Sequence, residues 1–176
     1  MILIPYMILV WIIMAVGDRL RGVKIEDEDH LQPSRMISAL IPYLALIVVS
    51  VITPIDRGIL FWLGLSLAAI SLVIYILAIS AFVAAKRGVT KIGIYRVSRN
   101  PMYMALFLFL IGFVLMAWQA GSVTGLITAG VALWIAGTIH WSSVLTEERF
   151  LKSKYGDEYL SYKKRVARYI GKKPGI

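Results

Sequence analysis

A short polar segment separates two long apolar runs of this sequence, and its residue types suit anion binding. The segment GIYRVSRNPMY, Gly93–Tyr103, carries two arginines, an asparagine and a proline among its tyrosines. Asn100 is a favoured N-cap, and Pro101 suits the first turn of a helix, where a missing backbone N–H costs nothing. The unbonded N–H groups of a helix start also favour an anion such as a carboxylate. The segment is therefore either a helix start with interfacial arginines or part of a binding site.

A second polar cluster, Glu147 and Glu148, follows a later apolar run. Two adjacent acids near a membrane are costly unless they bind something, and glutamates at a helix C-terminus oppose the helix dipole. Pairing with Arg149 or Lys152 is the simpler explanation. An acid beside an anion-binding helix start would instead suit a zwitterionic ligand. His140 lies seven residues before Glu147, and we expect it to pack between helices and not to act in catalysis.

The composition predicts a multi-pass membrane protein. Hydrophobic residues make up 59% of the 176 residues, and the mean hydropathy is +0.77. The apolar residues fall in blocks, and about 20 apolar helical residues span a bilayer. No length remains for a separate soluble catalytic domain. The absence of cysteine and the presence of only two histidines make a metal site unexpected.

The pattern predicts an all-α transmembrane bundle with about five spans. We expect residues 1–58 to form a two-helix membrane scaffold and residues 59–176 to form a functional core of three spans and a tail. The predicted spans cover approximately residues 2–16, 36–55, 59–85, 101–118 and 123–144.

Basic residues alternate between the predicted loops. The segments after the first, third and fifth spans are rich in lysine and arginine, whereas only Arg57 separates the second span from the third. The positive-inside rule then places the N-terminus outside and the C-terminus in the cytoplasm. Most of the net charge of +9 therefore faces anionic lipid headgroups on the cytoplasmic side, and nucleic acid is not an expected partner. We expect the acidic stretch Glu26–His30 to be a solvated loop.

The segment after the fifth span predicts a cytoplasmic amphipathic helix at the membrane interface. Gly156 interrupts it, and Asp157 can cap the helical turns beyond that glycine. In those turns, one helical face carries aromatic and apolar residues and the other carries lysines and arginines. The aromatic and apolar face comprises Tyr159, Tyr162, Val166 and Tyr169.

Together these segments resemble the integral-membrane methyltransferases, which comprise the isoprenylcysteine carboxyl methyltransferases and the phospholipid N-methyltransferases. The shared pattern is RHPxY or RNPxY, a pair of spans, a paired glutamate and a tail of the form G-x-x-Y-x-x-Y-x-x-x-V. The likeness covers roughly the last half of the chain. Its parts here are Arg99–Tyr103, Glu147, Glu148, Gly156, Tyr159, Tyr162 and Val166.

The resemblance implies S-adenosylmethionine as methyl donor, with S-adenosylhomocysteine as product, in a pocket facing the cytoplasm. It implies Glu147 as the acidic contact to the donor and Glu148 as its support. It assigns no catalytic residue. The other implied donor-binding residues are Tyr95, Arg99, Asn100, Pro101, Met102 and Tyr103, with a weaker correspondence at Gly88, Val89 and Thr90, where this chain carries an additional residue.

The resemblance also implies a lipid-like or prenylated acceptor that enters from the bilayer, and it leaves the acceptor's reacting group open. The prenylcysteine enzymes place an arginine four residues before the first glutamate, where this chain has Ser143. Since arginine is the natural clamp for a carboxylate, this difference disfavours a prenylcysteine carboxylate. A phospholipid amine or another lipophilic molecule is the alternative. Asn100, where the prenylcysteine enzymes usually have histidine, is common among the more divergent and phospholipid-type members.

Two other functions fit the same composition. A non-catalytic membrane scaffold would keep these motifs for packing and topology, would bind no donor and would tolerate Glu147→Gln. A nicotinamide-dependent membrane reductase of related fold is disfavoured, because the sequence lacks the glycine-rich dinucleotide fingerprint.

Overall fold

The structure, a computed structural model, describes residues 33–85 and 88–170 together with positions 12 and 16. Every regular element in this part of the chain is helical. A π-helical turn joins the last two long helices into one continuous helix. A short 3₁₀ turn lies in the loop before the third long helix. The elements are α1 (Pro33–Ile52), α2 (Ile59–Ala84), the 3₁₀ turn (Gly93–Arg96), α3 (Pro101–Ala120), α4 (Ser122–Thr138), the π turn (Ile139–Val144) and α5 (Leu145–Arg165).

Three helices of the described chain are long and apolar enough to cross a membrane: α2, α3 and the continuous helix Ser122–Arg165. Large apolar side chains such as Trp62, Ile70 and Leu133 are exposed on their outer faces, as lipid contact requires. The predicted all-α membrane fold is confirmed. The second predicted span corresponds to α1, and nearly all of the first lies outside the described residues. The count of about five and the division at residue 58 stay predictions.

Helix α3 lies between α2 and α4, and α1 packs against α4. Gly64 of α2 and Gly112 of α3 meet at a close helix crossing. A Cβ atom on Gly64 would lie 2.3 Å from the carbonyl oxygen of Gly112. Close approach of small residues is the usual way for membrane helices to gain packing energy. Phe109 and Phe113 of α3 fill the core beside this crossing.

The ends of α2 and α3 opposite the polar cluster are tied by Gln119. Its side-chain oxygen accepts the backbone N–H of Leu60 (3.1 Å), and its nitrogen donates to Asp56 (3.2 Å). This bond satisfies an N–H in the first turn of α2, which has no partner within its own helix. The loop between α1 and α2 is thereby fixed to the central helix.

Helix α5 bends at Gly156, where φ is 45° and ψ is −121°. The predicted interruption at this glycine is confirmed. Glycine adopts such backbone angles readily, whereas other residues do not. Beyond the bend, Tyr159, Tyr162 and Val166 are buried against Val89 in the loop between α2 and α3. This contact corrects the prediction of an aromatic membrane anchor: the stripe packs inside the protein and not against lipid.

Candidate functional site

The start of α3 is covered by the segment that follows α5, residues 166–170, which we call the C-terminal segment. The backbone N–H groups of Arg99 and Asn100 donate to the carbonyl oxygens of Ala167 (3.0 Å) and Arg168 (3.2 Å). Asn100 precedes the helix as predicted, but its side chain makes no capping bond. Instead its Nδ2 donates to the Arg168 carbonyl (3.3 Å) and to Oε1 of Glu148 (3.4 Å). The asparagine therefore joins three parts of the chain.

Glu148 is the centre of a buried charge cluster, with 6% of the residue exposed. Arg168 donates from Nε to Oε1 (2.9 Å) and from its terminal nitrogen to Oε2 (3.0 Å). Arg99 lies 3.2 Å from Oε1, and the Lys163 ammonium lies 3.8 Å from Oε2. Burial alone would raise the pKa of Glu148. The Arg168 hydrogen bond and the three positive charges outweigh it, so the pKa lies below its ordinary value and the carboxyl is ionised.

Arg99 is also buried, with 4% of its side chain exposed. Its terminal nitrogen donates to the hydroxyl of Tyr159 (3.1 Å). Burial, reinforced by the charge of Glu148, raises the pKa of Tyr159, so this phenol stays neutral. Within the described chain, the buried Nε of Arg99 has no hydrogen-bond partner. A buried donor left unpaired costs about 1–3 kcal/mol, which a bound acceptor atom would offset.

The two adjacent glutamates have different surroundings. Whereas Glu148 belongs to the charge cluster, Glu147 lines a cavity of about 250 Å³. Its other lining residues are Tyr103, Ser143 and Phe150. The volume is slightly below the range of about 300–1,000 Å³ typical of small-molecule pockets. These four residues supply a carboxylate, two hydroxyls and two aromatic rings but no cationic side chain, a combination that suits an organic cation.

The remaining predicted residues of the RNPMY region support the site from the side of α2. Tyr95 packs against Ala78 and Ala81 of α2, with Met102 beside it. The carbonyl oxygen of Tyr95 accepts the hydroxyl proton of Tyr162 (2.7 Å). Tyr95 therefore holds the bent half of α5 in place. In the described structure it lines neither the cavity nor the Glu148 cluster.

The weaker predictions fall in the loop after α2. Val89 is buried under Tyr159 and Tyr162, and Thr90 is buried beside it. Gly88 has φ of 82°, which a glycine adopts without strain. Lys91 of the same loop pairs with Glu158 of α5 (2.6 Å). This loop therefore fastens the C-terminal half of α5 to the bundle.

Sequence reasoning did not assign Arg168 to the site, and it placed Tyr169 only on the aromatic face of the tail helix. The Tyr169 ring packs edge-on against Phe107 of α3 (5.4 Å between centroids), and its hydroxyl is hydrogen-bonded to Nδ1 of His140. His140 packs between elements, as expected. Arg168 is one of many basic residues after the fifth span, and only the bend at Gly156 turns it back towards Glu148. Nothing in the sequence pattern indicates that Arg168 lies close to Glu148.

The phospholipid methyltransferase family matches residues 59–158, more than half of the chain. This chain belongs to the phospholipid methyltransferase family. The match includes the RNPMY segment and both glutamates of the site. It confirms the resemblance to membrane methyltransferases that the sequence motifs indicated. It ends before the buried tyrosines and the C-terminal segment.

An uncharacterized protein of Haemophilus influenzae is 38% identical over 69 residues, which are 39% of this chain and 100% of that protein. No solved structure matches the chain. The family assignment therefore supports a membrane methyltransferase, while the position of each site residue comes from the geometry described above.

Proposed function

We propose that this protein transfers a methyl group from S-adenosylmethionine to a lipophilic acceptor within the membrane. The observation that carries the proposal is the meeting of the RNPMY segment with the glutamate pair. Asn100 contacts Glu148, and Tyr103 shares a cavity with Glu147. These two contacts bring the start of α3, with Asn100 and Tyr103, to the glutamate pair of α5.

The residues present fit this donor. When bound, S-adenosylmethionine supplies an electrophilic methyl group on a sulfonium. Glu147 and the Tyr103 ring suit the positive charges of such a molecule, and the buried Nε of Arg99 offers a donor for an anionic or polar group. The first turn of α3 adds the positive end of a helix dipole. These residues would bind and orient the donor and exclude water, which is the main task in methyl transfer.

The cavity favours an amine acceptor over a carboxylate. Its lining carries Glu147 but no lysine or arginine, and Ser143 occupies the position of the substrate arginine in the prenylcysteine enzymes. Glu147 is assigned to the donor and is not offered as a counter-ion for the acceptor, but a carboxylate acceptor would find no cationic side chain among these lining residues. We therefore propose a phospholipid amine as the acceptor. An ammonium must lose a proton before it can react, and the chain assigns no residue to that step.

The charge pattern supports a cytoplasmic position for the site. Lys91, Lys163 and Arg168 all lie at the end of the bundle that carries the site. By the positive-inside rule this end faces the cytoplasm, and the N-terminus lies outside. The donor would then enter from the cytosol, and the lipid acceptor from the bilayer beside α3 and α4.

Calorimetric binding of S-adenosylhomocysteine to the purified protein in lipid nanodiscs tests the proposal. We expect micromolar binding by the wild type, a loss of about tenfold or more in Glu147→Gln, and no change in Asp157→Asn, an exposed acid further along α5. A wild type that is folded but does not bind would support the scaffold function. Methyl transfer is then measured with vesicles containing phosphatidylethanolamine, and vesicles of phosphatidylcholine alone serve as the control.

A further inference from the structure

A single carbonyl oxygen of the C-terminal segment accepts three hydrogen bonds from the start of α3 and the residues just before it. The carbonyl oxygen of Arg168 accepts the backbone N–H of Asn100, the side-chain amide of Asn100 and the hydroxyl of Ser98 (3.2 Å). The side chain of Arg168 meanwhile binds both oxygens of Glu148. Arg168 therefore both holds the C-terminal segment against the start of α3 and orients Glu148.

Arg168 is the cation best placed to orient Glu148. Arg99 shares its terminal nitrogen between Glu148 and Tyr159, and Lys163 at 3.8 Å is too distant for a hydrogen bond. The planar guanidinium of Arg168 engages both carboxylate oxygens at once, so it fixes direction as well as charge. An ammonium at the same position would supply charge alone.

The helix backbone fixes where Glu147 points relative to Glu148. The two residues are consecutive on a helix, so their side chains diverge by about 100°. With Glu148 held in the charge cluster, Glu147 faces the cavity with Tyr103. If the contact between Arg168 and Glu148 were lost, the C-terminal segment would lose its side-chain link to α5, and Glu148 would keep only Arg99, Asn100 and the more distant Lys163 as partners.

We propose that Arg168 is a positioning residue for the donor site, through which the C-terminal segment holds Glu147 and Glu148 in their binding arrangement. This inference rests on the proposed function. The residue lies beyond the region matched by the family, residues 59–158. The site is complete only when the C-terminal segment is docked, and donor binding and docking of the segment stabilise each other.

The test is calorimetric binding of S-adenosylhomocysteine to wild type, Arg168→Lys, Arg168→Ala and the matched control Arg165→Ala. Arg165 is exposed and bonds only to a backbone carbonyl of its own helix among the described residues. We expect about tenfold or greater weakening in Arg168→Ala, a smaller loss in Arg168→Lys, and none in Arg165→Ala. Equal affinity in all four proteins would overturn the inference and leave the proposed function intact. No binding by folded wild type would overturn both.

A double-mutant cycle separates positioning from general support of the fold. Arg168→Ala should weaken binding strongly in the wild-type background but by less than about twofold when Glu148 is already Gln, because the residue acts through that carboxylate. A loss of the same size in both backgrounds would overturn the inference. Arg168→Lys keeps the comparison possible if Arg168→Ala does not fold.

Limited trypsin digestion supplies a readout that does not depend on affinity. Cleavage after Arg165 and Arg168 requires release of the C-terminal segment. S-adenosylhomocysteine at saturating concentration should slow these cleavages in wild type but not in Glu148→Gln. Cleavage that is unaffected by bound ligand in wild type would show that binding and docking are not coupled, contrary to the inference.

Discussion

The side-chain amide of Asn100 lies 3.4 Å from Oε1 of Glu148, although the two residues are 48 positions apart in the sequence. This contact joins the start of α3 to the first turn of α5, although two membrane-spanning helices separate them along the chain. It exists because α3 and α4 are antiparallel neighbours of similar length, so the end of one apolar run returns to the beginning of the other. Both residues are buried, and both also bind Arg168.

Glu147→Gln and Glu148→Gln should separate binding from stability. Loss of the Glu148 charge leaves Arg99 buried without its counter-ion, and breaking a buried pair in this way costs about 3–5 kcal/mol at most. We expect Glu148→Gln to lower the free energy of unfolding by about 2 kcal/mol, because the amide keeps some hydrogen bonds. Glu147→Gln should lower stability by less than Glu148→Gln does, because Glu147 lines the cavity and is not buried in the charge cluster. Thermal unfolding in detergent measures both. Equal destabilisation would contradict the different surroundings of the two residues.

Acid should release the C-terminal segment only below the ordinary carboxyl pKa. The pKa of Glu148 is lowered in the folded protein from its usual 4.5. Its contribution to stability is therefore fully present above that value and is lost as the pH falls through the lower folded pKa. We expect the rate of proteolysis at the C-terminal segment, measured with an acid-active protease, to rise below pH 4.5 in wild type and to lose this dependence in Glu148→Gln. Release near neutral pH would contradict the assignment.

Gly112→Ala should destabilise the crossing of α2 and α3. The added methyl group would lie 2.6 Å from the carbonyl oxygen of Gly64, and backbone must shift to accept it. We expect a loss of about 1–3 kcal/mol in the free energy of unfolding. Gly130→Ala is the matched control, because a Cβ there meets no atom within 4 Å. That control should be neutral or gain up to about 1 kcal/mol. Equal melting temperatures of both variants would refute the close crossing.

Gly156→Ala should straighten α5 and undock its second half. No atom lies within 4 Å of the added Cβ, so the effect comes from the backbone angles alone. An alanine at φ of 45° and ψ of −121°, outside the left-handed helical region, costs about 1–3 kcal/mol. We expect faster tryptic cleavage at the C-terminal segment and weaker binding of S-adenosylhomocysteine. Ser153→Ala, at an exposed helical position, is the control. Unchanged cleavage would show that the bend does not depend on this glycine.

Sequence by itself determined the elements that lipid and local geometry dictate. The apolar runs predicted α2 and α3 to within two residues, because lipid permits only helices with satisfied backbone bonds. Pro101 at the start of α3 and Gly156 at the bend follow from local backbone preferences. The paired glutamates and the RNPMY segment could be recognised as candidate site residues, because such polar and charged residues are costly at a membrane edge.

Only the tertiary structure decided which side chains meet. The tyrosine stripe has the pattern of a membrane-facing helix, yet the bend at Gly156 turns it onto Val89 and buries it. The same bend carries Arg168 back to Glu148, so the structure gives the two adjacent glutamates different surroundings. Amphipathic spacing specifies that a face is buried, but it does not specify what buries it. That choice depends on contacts between segments far apart in the chain.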